Sequence, residues 1–245
     1  MTPLDLSRCG NRMIEAMDAD DLVRLAPDIR VMEVAKDQLL IEQDQPVTEV
    51  HFPIATELAN LMTFSDGSAV EVSRVGAEGV SGLVAFMANA PCAWSVRVQS
   101  GDTVLALPSA SLRRAVNESP RLMRRLVLLT HDNQAQTSQN AACNALHDTM
   151  PRLAKWLLLM HDRTGRMEFQ LTQDDMAAML GVQRTTLSGG AAELKAQGGI
   201  AYARGKLQLL NLDVLRRMAC ECYAAQRNRT DHLGLAPGAA LLLET

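Results

Sequence analysis

Gln183, Arg184, Thr185 and Ser188 cluster at the start of a predicted helix, and all four are side chains that hydrogen-bond the edges of bases. A guanidinium can hold the O6 and N7 of guanine through two hydrogen bonds, and a glutamine amide can do the same for adenine. Thr172, Thr186, Arg204 and Lys206 add hydroxyls and cations suited to phosphate. Such contacts fix a protein's register on a duplex without reading its sequence. Taken singly, each residue is equally a solvated helix start or a charged turn tip. Their order along the chain carries the argument.

Thr172 followed by Asp175 is a capping-box pattern, with Asp replacing the usual Glu or Gln, and Asp174 adds a second carboxylate to the first turn. Met176, Ala177, Met179 and Leu180 supply an apolar face at helical spacing, and Gly181 stops the helix. A second helix runs from Gln183 to about Gln197, with Leu187, Ala191 and Leu194 inward. Ile200 to Tyr202 and Leu207 to Leu210 alternate as short strands around an Ala203-Arg204-Gly205-Lys206 turn. Helix, glycine turn, helix and basic hairpin make a winged helix-turn-helix. Gly189-Gly190 inside the second helix should cost about 1 kcal/mol each relative to alanine. The pair is read as allowing close backbone approach, either to a neighbouring helix or to DNA.

Upstream, residues 1–27 read as one or two short helices. From Ile29 to about Leu107 short strands alternate with turns, including Asp66-Gly67 and Ser100-Gly101-Asp102. An antiparallel barrel or roll is expected. Ser119-Pro120 then opens a helix to about His147, roughly 40 Å long at 1.5 Å per residue. A seam at spacings of four and three selects Leu122, Leu126, Leu129, Asn133, Gln136, Asn140 and Cys143. Its first six members are expected to pair with a second copy across a two-fold axis, and a helix lying on its own roll is the alternative. The class is α+β: a roll with amino-terminal helices (1–118), a central dimerisation helix (119–148), a winged helix-turn-helix (149–223) and a tail (224–245). The apolar end of the tail, Gly234 to Leu243, is read as flexible, with docking onto a domain or partner as the alternative.

The net charge of −4 looks unfavourable for a nucleic-acid binder until it is divided along the chain. Residues 151–230 hold 12 Lys and Arg against 7 Asp and Glu, whereas residues 1–150 hold 12 against 19. The basic excess therefore falls on the segment with the helix-turn-helix. Only 3% aromatic residues argues against a base-stacking platform for single strands. The amino terminus lacks a signal-peptide pattern and no stretch is long and apolar enough to span a bilayer, so a cytosolic protein without a membrane partner is expected.

The cysteines and histidines raise other chemistry. The five cysteines are an odd, scattered set and make no disulfide framework. Cys220 and Cys222, two apart on a predicted helix, should point in different directions, and are read as structural thiols and not a metal pair. Cys92 and Cys143 become redox sensors only if positive neighbours stabilise their thiolates. His51, His131, His147, His161 and His232 show no zinc spacing. No phosphate-cradling glycine loop, nucleophile elbow or catalytic carboxylate pair can be placed. No enzyme, metal or cofactor is expected.

A roll, a long helix and a winged helix, in that order, resemble the Crp/Fnr superfamily of bacterial transcription regulators over roughly residues 20–222. The similarity is carried by Val50-His51-Phe52-Pro53, Gly76-Ala77-Glu78-Gly79, the stretch from Leu171 to Leu210, and Ala219-Cys220-Glu221-Cys222-Tyr223. The resemblance implies a cyclic-nucleotide-binding-like roll and a homodimer that binds double-stranded promoter DNA and contacts RNA polymerase. Cyclic-nucleotide members carry a Glu and an Arg-Ser pair beneath the phosphate; Val80, Pro91 and Cys92 stand there in this sequence. Without that arginine nothing matched to the family offsets the phosphate charge, so control by cyclic AMP is not expected. Only Cys9 stands where oxygen-sensing members hold an iron-sulfur cluster with several amino-terminal cysteines. Of the family's usual base readers, only Arg184 is kept, with Thr185 and Gly189 at the other two places. A sensor that acts through protein contacts is the competing reading.

Overall fold

The computed structural model describes residues 5–100 and 102–232. Asn11 caps α1 (Arg12–Glu15) by accepting the Ile14 N–H, and its amide donates to the carbonyls of Pro53 and Gly79 at 2.8 and 3.0 Å. Next come α2 (Ala19–Leu25), β1 (Arg30–Val34), β2 (Leu39–Ile41), β3 (Glu49–Pro53), β4 (Glu57–Thr63) and β5 (Ala69–Val75). After α3 (Leu83–Ala88) follow β6 (Ser95–Ser100) and β7 (Asp102–Pro108). The strands form two antiparallel sheets of order β2-β6-β4-β5 and β1-β7-β3. The Asp66-Gly67 turn joins β4 to β5 as expected. Gly101, at the centre of the other expected turn, lies outside the described residues.

Period-two alternation splits β7 between two cores. Val104 packs with Val34, Leu58, Cys92 and Val96 between the sheets. Leu105 and Leu107 join a second core with Phe52, Leu83 and the adjoining helices. Closing that core are α4 (Ser109–Glu118) and the first half of α5 (Pro120–Leu146). Ser119 caps α5, its Oγ accepting the Leu122 N–H at 3.1 Å, with Pro120 at the first helical position.

The seam expected to meet a second chain faces inward. Leu122, Leu126 and Leu129 are at most 3% exposed and lie in the core with Phe52 and Leu112. Asn133 is half-buried, Gln136 donates to Asp132 at 2.7 Å, and Asn140 accepts from Lys155 and Gln226 at 3.1 Å each. The roll belongs to the same chain and claims the apolar face of α5, since burying those leucines needs no second molecule.

The head comprises α6 (Thr149–Thr164), β8 (Glu168–Gln170), α7 (Gln173–Leu180), α8 (Arg184–Ala196), β9 (Ile200–Ala203), β10 (Lys206–Leu209), α9 (Leu212–Met218) and α10 (Cys222–His232). Its core gathers Leu153, Leu157, Met176, Leu187, Leu194 and Leu207 under a sheet of order β8-β10-β9. The tail expected from Ala224 is helical to His232, and its apolar end falls outside the described residues. Cys220 is not helical: Ala219 is extended (φ −70°, ψ 149°) and the chain turns there between α9 and α10. Because that turn breaks the helical rotation, Cys220 and Cys222 converge where the helical expectation sent them apart. Among the described residues no helix is long and apolar enough to cross a membrane.

Buried charge joins head to roll. Arg163 of α6 reaches Glu57 of β4 at 3.2 Å and Glu78 at 3.1 Å, while Arg74 of β5 reaches Glu57 at 2.7 Å and Glu71 at 2.6 Å. Arg74 also lies over Trp156 of α6, 4.3 Å from the ring centroid. Burial alone would raise the Glu78 carboxyl, but Arg163 and Arg12 overcome it and hold the group below its ordinary value.

Candidate nucleic-acid interface

The interface is built from two helix starts and one hairpin tip. Thr172 Oγ1 accepts the Asp175 N–H at 3.0 Å, and an Asp175 carboxylate oxygen accepts the Thr172 N–H at 2.9 Å. Two otherwise orphaned donors of the first turn of α7 are satisfied reciprocally, so the capping box read from sequence is present. Gly181 ends α7 in the left-handed region at φ +63°, and Leu187 of α8 is fully buried in the head core. This pairing of α7 with α8 determines which side of α8 faces solvent.

Gln183, Arg184, Thr185 and Thr186 are exposed on that side. Gln183 is the N-cap residue, and its side chain makes no capping hydrogen bond. The first N–H groups of α8 therefore have no acceptor from the Gln183 side chain, and an anion beside this exposed helix start would be favoured. Arg184 Nη1 lies 3.2 Å from an Asp174 carboxylate oxygen, with both side chains 65% exposed. Ser188 is half-buried and turned toward α7, its hydroxyl 2.8 Å from Gln173 Oε1 and 2.9 Å from the Arg184 carbonyl. It is thus the least available of the four expected base readers.

The glycine pair splits by environment. A Cβ on Gly190 would stand 3.2 Å from the Met150 Cα at the start of α6, so this glycine permits close packing of two helices. Gly189 has open space around it, on the exposed side of α8.

The wing closes in a two-residue turn, with Arg204 at φ +49° and Gly205 at φ +78°, the pattern of a type I′ hairpin. Arg204 and Lys206 are exposed there. The Leu171 N–H donates to the Gly205 carbonyl at 2.9 Å, which sets the wing tip beside Thr172. Thr172, Arg204 and Lys206 thus share one edge of the head. Thr186 stands in the first turn of α8. Lys36 of the roll meets Asp175 at 3.5 Å, and Arg166 meets Asp102 at 3.0 Å, so this surface is braced against the roll.

Val80, Pro91 and Cys92 do not converge on a phosphate-sized site. Val80 (1% exposed) is packed among Leu83, Phe86 and Phe52, and Cys92 (0%) lies in the aliphatic core between the sheets, while Pro91 is exposed. Burial pushes the Cys92 thiol up, away from the thiolate a redox sensor needs. Sequence reading missed the convergence of Cys143 and His147 with Cys220 and Cys222. The spacing of Cys143 and His147 along a helix was a usable signal for one side of it; the other side depends on the turn after α9.

A Crp-like helix-turn-helix domain model matches residues 151–218, and a cyclic nucleotide-binding domain model matches residues 31–119. The transcriptional regulator SdrP of Thermus thermophilus is 29% identical over 109 residues, 42% of this chain and 54% of SdrP. The matched region thus spans about half the length of that relative. Among solved structures, FixK2 of Bradyrhizobium japonicum has a TM-score of 0.65 at 18% identity, covering 78% of this chain and 98% of its own. A Crp/Fnr-family transcriptional regulator from T. thermophilus has a TM-score of 0.63 at 20% identity, covering 78% and 98%. CLP of Xanthomonas campestris, a c-di-GMP-responsive global regulator, has a TM-score of 0.64 at 13% identity, covering 79% and 100%. At these identities the likeness is one of fold.

Proposed function

The chain belongs to the Crp/Fnr superfamily of bacterial transcription regulators, and from that premise we propose that it binds promoter DNA as a homodimer to regulate transcription. The carrying observation is the solvent-facing start of α8, where Gln183, Arg184 and Thr185 stand free of the head's core. In each protomer these residues enter a major groove and read base edges, with Arg184 as the principal reader and Ser188 as an adjunct. Thr172, Thr186, Arg204 and Lys206 hold phosphate on the flanks.

The outward face of α5 joins two chains. Val127 is 49% exposed and Leu146 is 79% exposed, and His131, Gln134, Ser138 and Ala142 lie exposed between them. This face replaces the inward leucine seam. The apolar packing around Val80 and Cys92 supports a regulator that does not respond to cyclic AMP. RNA polymerase is the protein partner of the DNA-bound dimer, and no catalytic role is assigned.

The test is duplex binding by fluorescence anisotropy, using sites selected from random DNA. Arg204→Ala and Lys206→Ala should each weaken selected and random DNA alike. Each should also reduce the slope of log affinity against log salt by about 0.9. A chain that binds no duplex at any salt concentration overturns the proposal in favour of a sensor acting through protein contacts.

A further inference from the structure

Four metal-ligating side chains meet where the central helix ends and the last helix of the head begins. Cys143 and His147 are one helical turn apart at the end of α5, and Cys220 and Cys222 flank the turn into α10. Their ligand atoms all lie within 4.8 Å of one another. Cys143 Sγ is 3.6 Å from Cys220 Sγ, and Cys222 Sγ is 3.7 Å from His147 Nδ1. The three thiols are almost fully buried, while His147 is 23% exposed at the rim.

We propose that Cys143, His147, Cys220 and Cys222 bind one Zn2+ ion in a closed tetrahedral Cys3His site that pins α5 to the head. Zinc takes thiolate at about 2.3 Å and imidazole nitrogen at about 2.0–2.1 Å, so tetrahedral angles place S–S pairs about 3.8 Å and S–N pairs about 3.6 Å apart. The Cys143–Cys220 and Cys222–His147 separations lie within about 0.2 Å of these values, and the other pairs are no farther apart than 4.8 Å. Ligand atoms this close surround a single ion, whereas the ligands of an iron-sulfur cluster sit on different irons and stand farther apart.

The surrounding groups are those that orient zinc ligands. Glu221 Oε1 lies 3.2 Å from His147 Nε2, so a proton held on Nε2 would leave the Nδ1 lone pair for the ion on the side of Cys222. The Gln139 amide donates to Cys222 Sγ at 3.1 Å, as it would to a thiolate. Three thiolates, one neutral imidazole and Zn2+ leave a single net negative charge beside Lys155. Zinc takes the three sulfurs as thiolates and the imidazole as the neutral ring, so affinity falls as pH falls.

The site sits where α5 passes into the head. His147 is the C-cap of α5, and α6 begins two residues later at Thr149. An ion held by α5 and by the turn after α9 fixes the angle at which the head leaves the helix. None of this depends on DNA binding, and the test does not use it.

The experiment is anaerobic Co2+ titration of the reduced full-length chain, with metal analysis of the protein as purified. One equivalent of cobalt should give the intense visible bands of a tetrahedral thiolate site, and Zn2+ should bleach them. Cys220→Ser and Cys222→Ser should lose those bands, while a Cys9→Ser, Cys92→Ser double variant keeps them. Glu221→Ala, altering an exposed side chain, should weaken zinc binding about tenfold or more in chelator competition. Absence of stoichiometric cobalt uptake by the wild-type chain overturns the proposal, as do the faint bands of six-coordinate cobalt. A Cys143–Cys220 disulfide in place of metal in the protein as purified, with no cobalt uptake after reduction, overturns it as well.

Discussion

Gly190 of α8 faces the backbone of Met150 so closely that an added Cβ would stand 3.2 Å from the Met150 Cα, 3.3 Å from its Cβ and 3.3 Å from its nitrogen. Its neighbour Gly189 faces open space. Gly189→Ala should therefore stabilise the protein by about 0.5–1 kcal/mol through helix propensity. Gly190→Ala should lose that gain to crowding and end up destabilised by about 1 kcal/mol. Urea unfolding of the two variants checks this; equal stabilisation by both would remove the close-packing role of Gly190. If DNA approaches the open side of Gly189, its alanine variant should bind DNA more weakly while being the more stable protein.

Arg184 is tethered to Asp174 by an ion pair with both partners 65% exposed, an arrangement worth about 0–1 kcal/mol. Arg184→Ala should cost about 1–3 kcal/mol on a selected site and relax preference at one base pair. Asp174→Asn should tighten DNA binding by freeing the guanidinium and removing a charge that repels phosphate. Competition assays on selected and random duplexes measure both effects. An equal loss on the two DNAs for Arg184→Ala would reduce its role to phosphate contact.

His51 is buried in the roll with its Nδ1 3.1 Å from Ser81 Oγ, and burial holds its imidazole down to about 4. The unfolded chain then binds a proton between about pH 6.5 and about pH 4 that the folded chain refuses, so stability falls as pH falls through that window. At about pH 5 the loss relative to about pH 8 should be about 2 kcal/mol. His51→Asn should flatten this part of the acid limb in urea titrations at the two pH values, and an unchanged slope would mean that His51 charges freely in the fold.

Val127 lies on the exposed face of α5, away from the leucines that the roll buries. Val127→Lys should place two like charges across the proposed two-fold axis and yield monomers in sedimentation velocity. Loss of the second head should weaken binding to a two-half-site duplex about a hundredfold or more, since one head no longer localises the other. A variant that sediments and binds as the wild type does would move the interface elsewhere.

The helix-turn-helix was legible because its signals are local. The Thr172–Asp175 box, the left-handed Gly181 and the two-residue turn at Arg204-Gly205 each act within a few residues, so their types and order suffice. Ser119-Pro120 likewise marked the start of α5. The roll was legible as strands, because alternation is also local, but the division of those strands into two sheets was not. Which way α5 faces turned on competition for one apolar stripe. Leu122, Leu126 and Leu129 suit a second chain or the roll equally well by spacing, and the covalently attached roll wins.

The sequence alone determined the order of the modules and the glycine and cap positions that shape the head. Tertiary structure decided the rest: the inward leucine seam, the opposite fates of Gly189 and Gly190, the Arg74–Glu57–Arg163 bridge between head and roll, and the meeting of Cys143 and His147 with Cys220 and Cys222. Each of these joins groups far apart in the chain or depends on which face of a helix is already occupied. Such contacts arise only after hydrophobic burial has chosen the packing, and no local pattern encodes that choice.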